Sequence, residues 1–161
     1  MRARVITVSD RSAAGERADR SGPVLVEAFT AAGFTVDSAI IPDGAAPVAE
    51  ALTAAVASGA QLIVTTGGTG VGPRDLTPEG TRGVIDRELP GVAEALRADG
   101  ARTTPHAWIS RGIAGVVDPR AGLPGSLIVN LPGSPGAARD GARVLTPLAP
   151  HILDQLTGSD H

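Results

Sequence analysis

After the apolar run Leu62-Ile63-Val64 comes the stretch Gly67-Gly68-Thr69-Gly70-Val71-Gly72-Pro73-Arg74-Asp75-Leu76-Thr77-Pro78-Glu79. The apolar run is typical of a buried strand, and the residues after the stretch have the spacing of a helix. A buried strand therefore opens into a glycine-rich segment, residues 67–76, which we call the glycine loop. A loop of this kind between a strand and a helix predicts an anion site.

The composition of the glycine loop suits a phosphate. Its glycines lack Cβ, adopt positive φ at low cost, and let backbone N–H groups approach a ligand. Thr77 is expected to cap the next helix and Pro78 suits its first turn, so the positive end of the helix dipole should lie beside the loop. Arg74 adds a permanent positive charge.

Asp75 is the unusual member of this loop, because a carboxylate repels an anion unless a divalent cation or a proton-bearing substrate group lies between them. We therefore interpret Asp75 as functional. The alternative is that Asp75 only makes a turn or pairs with Arg74. Two named phosphate motifs are disfavoured, since Pro73 occupies both the third glycine position of G-x-G-x-x-G and the lysine position of the P-loop pattern.

Length and composition restrict the classes of protein. The 161 residues fit one domain, and 42% hydrophobic but only 2% aromatic residues predict a core of Val, Leu, Ile and Ala. A net charge of -3 with scattered arginines argues against nucleic acid or a membrane surface as partner. The absence of Cys excludes disulfides and a cysteine nucleophile. The N-terminus turns polar at Ser9 before a signal peptide develops, which favours the cytoplasm.

Strand and helix patterns alternate along the whole chain. They predict strands at Arg4–Val8, Phe34–Ile41, Gln61–Thr66 and Ser126–Asn130, and helices from Ser21 to Gly33, Pro47–Ser58, Thr77–Leu89, Gly91–Asp99 and Pro135–Leu156, the last interrupted near Pro147 and Pro150. The stretch 107–118 is expected to hold a short helix and then a strand. Repeated βα units predict an α/β fold, a three-layer α/β/α domain with a mostly parallel sheet, spanning 1–161.

Four turns that follow predicted strands carry polar groups. In a parallel sheet, ligands bind beyond the carboxyl ends of the strands, so these turns should share one surface. They are Ser9-Asp10-Arg11, the turn with Asp43, the glycine loop with Asp75, and Leu131-Pro132-Gly133-Ser134-Pro135, in which Ser134 can cap a helix. Together they suggest a phosphate-bearing substrate and a metal. Taken singly, Asp43 is also an ordinary turn residue, Ser9 and Asp10 also suit helix caps, and Glu79 is favoured by the helix dipole alone.

These motifs, taken in order, resemble the MogA/MoaB family of molybdenum cofactor biosynthesis proteins. The resemblance rests on Thr65 to Gly70 with Pro73-Arg74-Asp75 and Thr77-Pro78-Glu79, on Val8 to Arg11 with Gly15 and Asp19 to Pro23, on Ile41-Pro42-Asp43, and on Asn130 to Pro135. It covers nearly the whole chain. One departure is Gly136, where family members often carry lysine, and Arg139 is the candidate to replace that charge.

The resemblance implies a molybdopterin adenylyltransferase, which transfers AMP from ATP to the terminal phosphate of molybdopterin and releases pyrophosphate, with Mg²⁺ and typically as a homotrimer. It implies Asp75 and Asp43 as catalytic residues. The substrate-binding residues that we expect are Ser9, Asp10, Gly67, Gly68, Thr69, Gly70, Arg74, Glu79, Pro132, Gly133, Ser134 and Pro135.

Three other functions stay open. One is a non-catalytic molybdopterin-binding member of the family, which the presence of both Asp43 and Asp75 disfavours. Another is the metal-inserting relative, whose similar domain normally lies inside a longer chain than 161 residues. The third, from a different class, is an oligomeric scaffold without ligand chemistry, in which the loops serve only subunit contacts.

Overall fold

The computed structural model describes residues 1–120 and 122–158. The strands are β1 (Arg2–Val8), β2 (Thr35–Ile41), β3 (Leu62–Thr66), β4 (Arg87–Glu88), β5 (Ala114–Val117) and β6 (Ser126–Leu131). The helices are α1 (Asp10–Ala13), α2 (Gly22–Ala31), α3 (Ala45–Ala57), α4 (Thr77–Arg82), α5 (Pro90–Ala101) and α6 (Pro135–Leu156), with a 3-10 helix at Pro105–Ile109. The short helix and strand expected within 107–118 correspond to the 3-10 helix and β5.

Six strands form one sheet in the order β2-β1-β3-β6-β5-β4. The first four are parallel, whereas β5 and β4 are antiparallel to their neighbours. The expected mostly parallel sheet is therefore confirmed. Because β1, β3 and β6 are adjacent and point the same way, their carboxyl ends meet at one edge of the sheet.

Side chains from alternate strand positions bury against helices on the two faces of the sheet, as the period of two in a strand requires. On one face Val5, Val64 and Val129 pack with α2 and α6, and on the other face Ile6, Ile63 and Ile128 pack with α3. Leu25 and Phe29 of α2 and Val48 and Leu52 of α3 are fully buried. Both faces are covered, which is the three-layer α/β/α architecture expected from the sequence.

The predicted helix from Thr77 to Leu89 is wrong beyond Arg82. The chain leaves the helix at Gly83, and the N–H groups of Asp86 and Leu89 donate to carbonyls of β5. The partly buried side chains of Val84 and Ile85 pack on the α3 face of the sheet. Apolar spacing in this stretch fits a helix and an edge strand equally well, and pairing with β5 decides the outcome.

The predicted interruption of the last helix near Pro147 and Pro150 is also wrong. Helix α6 runs without a break from Pro135 to Leu156 although both prolines lie inside it. Leu145, Ala149 and Leu153 form a buried stripe at a spacing of four residues. Packing of this stripe against the sheet outweighs the loss of two backbone hydrogen bonds.

The described residues form a single domain. Its predicted limits, residues 1 and 161, stay a prediction, since Ser159, Asp160 and His161 lie outside the described part of the chain. Over residues 1–120 and 122–158, no helix has both the length and the apolar character needed to cross a membrane.

Candidate functional site

One cavity of about 560 Å³ lies at the carboxyl ends of β1, β3 and β6. Nine of the residues that the sequence predicted for the site line it: Ser9, Asp43, Gly67, Gly68, Thr69, Gly70, Asp75, Pro132 and Gly133. The other five, Asp10, Arg74, Glu79, Ser134 and Pro135, lie outside this lining. The turns that follow β1, β2, β3 and β6 therefore meet at one cavity.

The glycine loop begins with two residues in conformations that favour glycine. Gly67 has φ +113° and Gly68 has φ +64°. The N–H of Gly67 continues the sheet by donating to Leu131 O at 2.9 Å. Among the described residues, the next three N–H groups, those of Gly68, Thr69 and Gly70, have no acceptor. Three consecutive residues of the cavity lining thus have backbone donors without a protein acceptor, as an anion site requires.

Thr77 anchors this loop rather than capping α4, so the predicted capping role is wrong. The N-cap is Leu76, which makes no side-chain cap. The Thr77 hydroxyl donates to Gly67 O at 2.9 Å, and the Thr77 N–H donates to Gly68 O at 3.1 Å. The fully buried Thr77 therefore fixes the two glycines where the loop leaves β3.

The buried side-chain amide of Asn130 connects elements that lead to the cavity. Asn130 of β6 donates from Nδ2 to the hydroxyls of Thr65 at 3.0 Å and Thr81 at 2.9 Å. Its Oδ1 accepts from the N–H of Ile113 at 3.3 Å. This side chain ties β6, β3 and α4 together, so its role is structural.

The two candidate catalytic aspartates both face the cavity, and each uses one carboxylate oxygen within the protein. Asp75 Oδ2 accepts from the N–H of Gly72 at 2.9 Å, and Asp43 Oδ2 accepts from the N–H of Asp10 at 2.8 Å. In the described structure neither Oδ1 atom accepts a hydrogen bond. The remaining oxygens are available to a ligand, and the pairing of Asp75 with Arg74 does not occur.

Arg74, expected to supply a positive charge to the ligand, donates hydrogen bonds to neighbouring protein groups. Its Nε donates to Asp10 Oδ2 at 3.1 Å, and its Nη2 donates to Asp10 Oδ1 at 3.0 Å and to Asp43 O at 2.8 Å. These hydrogen bonds from Arg74 lower the pKa of the Asp10 carboxyl, and those to Asp10 raise the pKa of Arg74. Arg74 thereby fixes the turn that carries Asp43.

The last turn has the geometry expected from the sequence. Ser134 is the N-cap of α6, and its Oγ accepts from the N–H of Ala137 at 3.1 Å. Pro135 occupies the first turn of the helix. A Cβ built on Gly133 would lie 3.2 Å from the Cα of Gly67, so the two turns are in close contact.

Glu79 forms an ion pair with Arg111 outside the cavity lining. Hydrogen bonds from Arg111 lower the pKa of the Glu79 carboxyl, and the same contact raises the pKa of Arg111. The folded protein thus favours ionised Glu79. Stabilisation by an acid with a lowered pKa is complete above its unfolded pKa and is lost as the pH falls through the folded value.

The substitution Glu79→Gln should therefore lower the melting temperature by about 1–3 °C at pH 7, because an ion pair that is partly open to solvent contributes little. The difference from wild type should be full above the ordinary pKa of glutamate, about 4.3, and should shrink as the pH falls below it, because protonation of Glu79 removes the ion pair. Thermal melts across that pH range measure it, with Glu50→Gln on the exposed side of α3 as the matched control. A difference that stays constant with pH would contradict the ion-pair explanation.

Several residues of the cavity were not chosen from the sequence. They are Thr7, Ser12, Arg17, Asp19, Arg20, Thr66, His106, Ile109 and Ser110. Asp19 accepts hydrogen bonds from the Thr7 hydroxyl at 2.6 Å and from the N–H groups of Ser21 and Gly22 at 3.0 Å. Its place just before a helix start is a signal that sequence reasoning had available. His106 and Ser110 come from a segment without a clear pattern.

The donor set of the cavity fits a magnesium ion that is shared with a substrate. Asp43 and Asp75 provide two carboxylates, and the described residues contain no group of three or more His, Cys, Asp or Glu able to hold a metal. Mg²⁺ commonly binds through one or two carboxylates, substrate phosphates and water. The site therefore suits an ion that arrives with a phosphate ligand.

Comparisons with known proteins show which family the chain resembles. A family described as a probable molybdopterin binding domain matches residues 4–151. The molybdenum cofactor biosynthesis bifunctional protein of Synechococcus elongatus is 42% identical over 160 residues, which are 99% of this chain and 48% of that protein. The molybdopterin adenylyltransferase of Pyrococcus furiosus is 38% identical over 150 residues, 92% of this chain and 87% of that protein.

Solved structures of molybdopterin biosynthesis proteins are also similar to this chain. The molybdopterin biosynthesis enzyme MoaB from Thermus thermophilus is 42% identical, with a TM-score of 0.86 over 98% of this chain and 96% of that chain. This chain spans about half the length of the bifunctional relatives, 48% and 50%. The family match nevertheless covers most of the chain. The chain therefore belongs to the molybdopterin-binding domain family of molybdenum cofactor biosynthesis proteins, as its MogA/MoaB-like motifs indicated.

Proposed function

We propose that this chain is a molybdopterin adenylyltransferase that transfers AMP from ATP to the terminal phosphate of molybdopterin. The observation that carries the proposal is a single cavity that combines the unpaired N–H groups of the glycine loop with the carboxylates of Asp43 and Asp75. The relative from Pyrococcus furiosus that bears the name molybdopterin adenylyltransferase supports it.

In the proposed reaction, an oxygen of the molybdopterin phosphate forms a bond to the α-phosphorus of ATP. The bond from that phosphorus to the oxygen of the β-phosphate breaks, and pyrophosphate leaves. No protein nucleophile is needed, so the chain has to position two polyanions and stabilise the charge that spreads over the transferring group. The N–H groups of Gly68, Thr69 and Gly70 would donate to phosphate oxygens in this role.

Mg²⁺ is the cofactor that we propose. When bound, it would neutralise negative charge on the phosphates of ATP. Asp43 and Asp75 are the residues that would hold it, because each has one carboxylate oxygen without a partner among the described residues.

The test of the proposal is pyrophosphate release. Purified protein with ATP and Mg²⁺ should release pyrophosphate only when molybdopterin is supplied, and the product should be adenylylated molybdopterin. Molybdopterin binding by calorimetry without pyrophosphate release would instead support the non-catalytic family member. No binding of either ligand would favour the oligomeric scaffold. The expected homotrimer and the cytoplasmic location stay predictions of the proposed function.

A further inference from the structure

Arg111 lies just before β5 and contacts the glycine loop from outside the cavity. Its Nε donates to Gly70 O at 2.7 Å, and its Nη2 donates to Asp75 O. Both terminal nitrogens also donate to the carboxylate of Glu79, and the Arg111 N–H donates to Thr69 O at 2.8 Å. One arginine thus contacts both ends of the segment that carries Asp75.

Few other contacts fix this segment. The hydrogen bonds of Asp75 N–H to Gly72 O at 3.0 Å, Gly72 N–H to Asp75 Oδ2 and Leu76 N–H to Arg74 O all join residues within the loop. Within residues 70–76 of the described structure, hydrogen bonds to distant parts of the chain come only from Arg74 and from Arg111. Of these two, Arg111 alone contacts Asp75.

Arg111 is itself held in place by the core. Arg97 of α5 donates from Nη1 to Gly112 O at 2.9 Å. A Cβ on Gly112 would lie 2.7 Å from Asn130 O, so residue 112 fits tightly against β6. The Ser110 hydroxyl contacts the hydroxyl of Thr69 at 3.3 Å. These contacts fix the backbone on either side of Arg111 and so restrict where its side chain can lie.

We infer that Arg111, with Glu79 as its partner, is a positioning residue that holds the glycine loop in the conformation that points Asp75 into the cavity. This inference deepens the proposed function and rests on it only for the effect on turnover. A planar guanidinium donates several hydrogen bonds in fixed directions, whereas lysine presents a point charge on a flexible stem. Lysine therefore keeps the charge at this position but cannot reproduce the contacts to Gly70 O, Asp75 O and Glu79 together.

Glu79 would then hold Arg111 in place, whereas the sequence predicted that it binds substrate. Its carboxylate faces Arg111, and it lies outside the cavity lining. Glu79 sits in the first turn of α4, so the ion pair also connects the loop to a helix that Thr77 fixes to β3.

The test compares Arg111→Lys with Arg143→Lys. Arg143 is the matched control, since it pairs with Asp99 of α5 and with Asp140 and lies outside the cavity lining. Hydrogen–deuterium exchange of the hydrogen-bonded N–H groups within residues 70–76 should be about tenfold faster in Arg111→Lys than in wild type. In Arg143→Lys it should be unchanged. This readout needs no substrate, so it tests the inference even if the proposed function fails.

A second measurement separates positioning from substrate binding. If the chain is the proposed transferase, Arg111→Lys should lower kcat by about tenfold and change KM for ATP by less than about threefold. Exchange in residues 70–76 equal to wild type would overturn the inference, as would faster exchange with unchanged kcat. A large rise in KM with normal exchange would also overturn it, because Arg111 would then act on the ligand directly.

Discussion

Asp75→Asn is expected to lower the turnover of adenylyl transfer by about 10²-fold or more, with little change in folding. The amide replaces a negative oxygen with a neutral one at the cavity, so it weakens the binding of the Mg²⁺ that would neutralise charge on the phosphates. Asp75 is partly exposed, and its only side-chain hydrogen bond within the described residues is from Gly72 N–H. An asparagine oxygen accepts that hydrogen bond equally well, which is why the fold should survive.

Steady-state pyrophosphate release measures the effect, and thermal melts check the fold. Asp154→Asn, on an exposed position of α6, removes the same charge far from the cavity and should keep full turnover. Full activity in Asp75→Asn would remove Asp75 from the chemistry. An equal loss in both variants would indicate that net charge, and not the position of Asp75, controls the reaction.

The convergence of the site residues was predictable because it follows from sheet topology. Asp43 and Asp75 are far apart in sequence, yet each follows a strand of one parallel sheet, with β1 between β2 and β3. Such strands end at the same edge, so residues just after them meet there. Ser134 and Pro135 were predictable for a local reason, since a serine cap followed by proline defines a helix start.

The contacts that fix the site were not predictable. Arg111 lies in a segment without periodicity, and its partners Gly70 and Glu79 are distant in sequence. The charge of Arg74 is visible in the sequence, whereas its pairing with Asp10 is not. Side-chain hydrogen bonds between distant segments depend on tertiary packing, which local propensity does not encode.

The secondary-structure errors have a similar cause. The stretch from Val84 to Leu89 has apolar spacing that suits a helix. In the structure, part of it instead pairs with the edge of β5 as strand β4. Pro147 and Pro150 normally end a helix, but the buried stripe on α6 compensates for them. In both cases a tertiary contact outweighed a local signal.

Gly67→Ala is expected to destabilise the fold by about 2–5 kcal/mol, a large part of the stability of a typical domain. Gly67 has φ +113°, a region that residues with a Cβ rarely adopt. A Cβ there would also lie well below 3.0 Å from the carbonyl oxygen of Val8, closer than real Cβ atoms come. That oxygen belongs to β1, which is part of the sheet, so it cannot move without disturbing the core.

Gly33→Ala is the matched control for this substitution. Gly33 also has a positive φ, +89°, but a Cβ there meets nothing within 4 Å, so only the backbone strain of about 1–2 kcal/mol applies. Urea unfolding of both variants measures the difference, which isolates the steric contact between the glycine loop and β1. Equal unfolding midpoints would mean that the loop shifts freely away from Val8, and the N–H groups of Gly68 to Gly70 would then not be held ready for a phosphate.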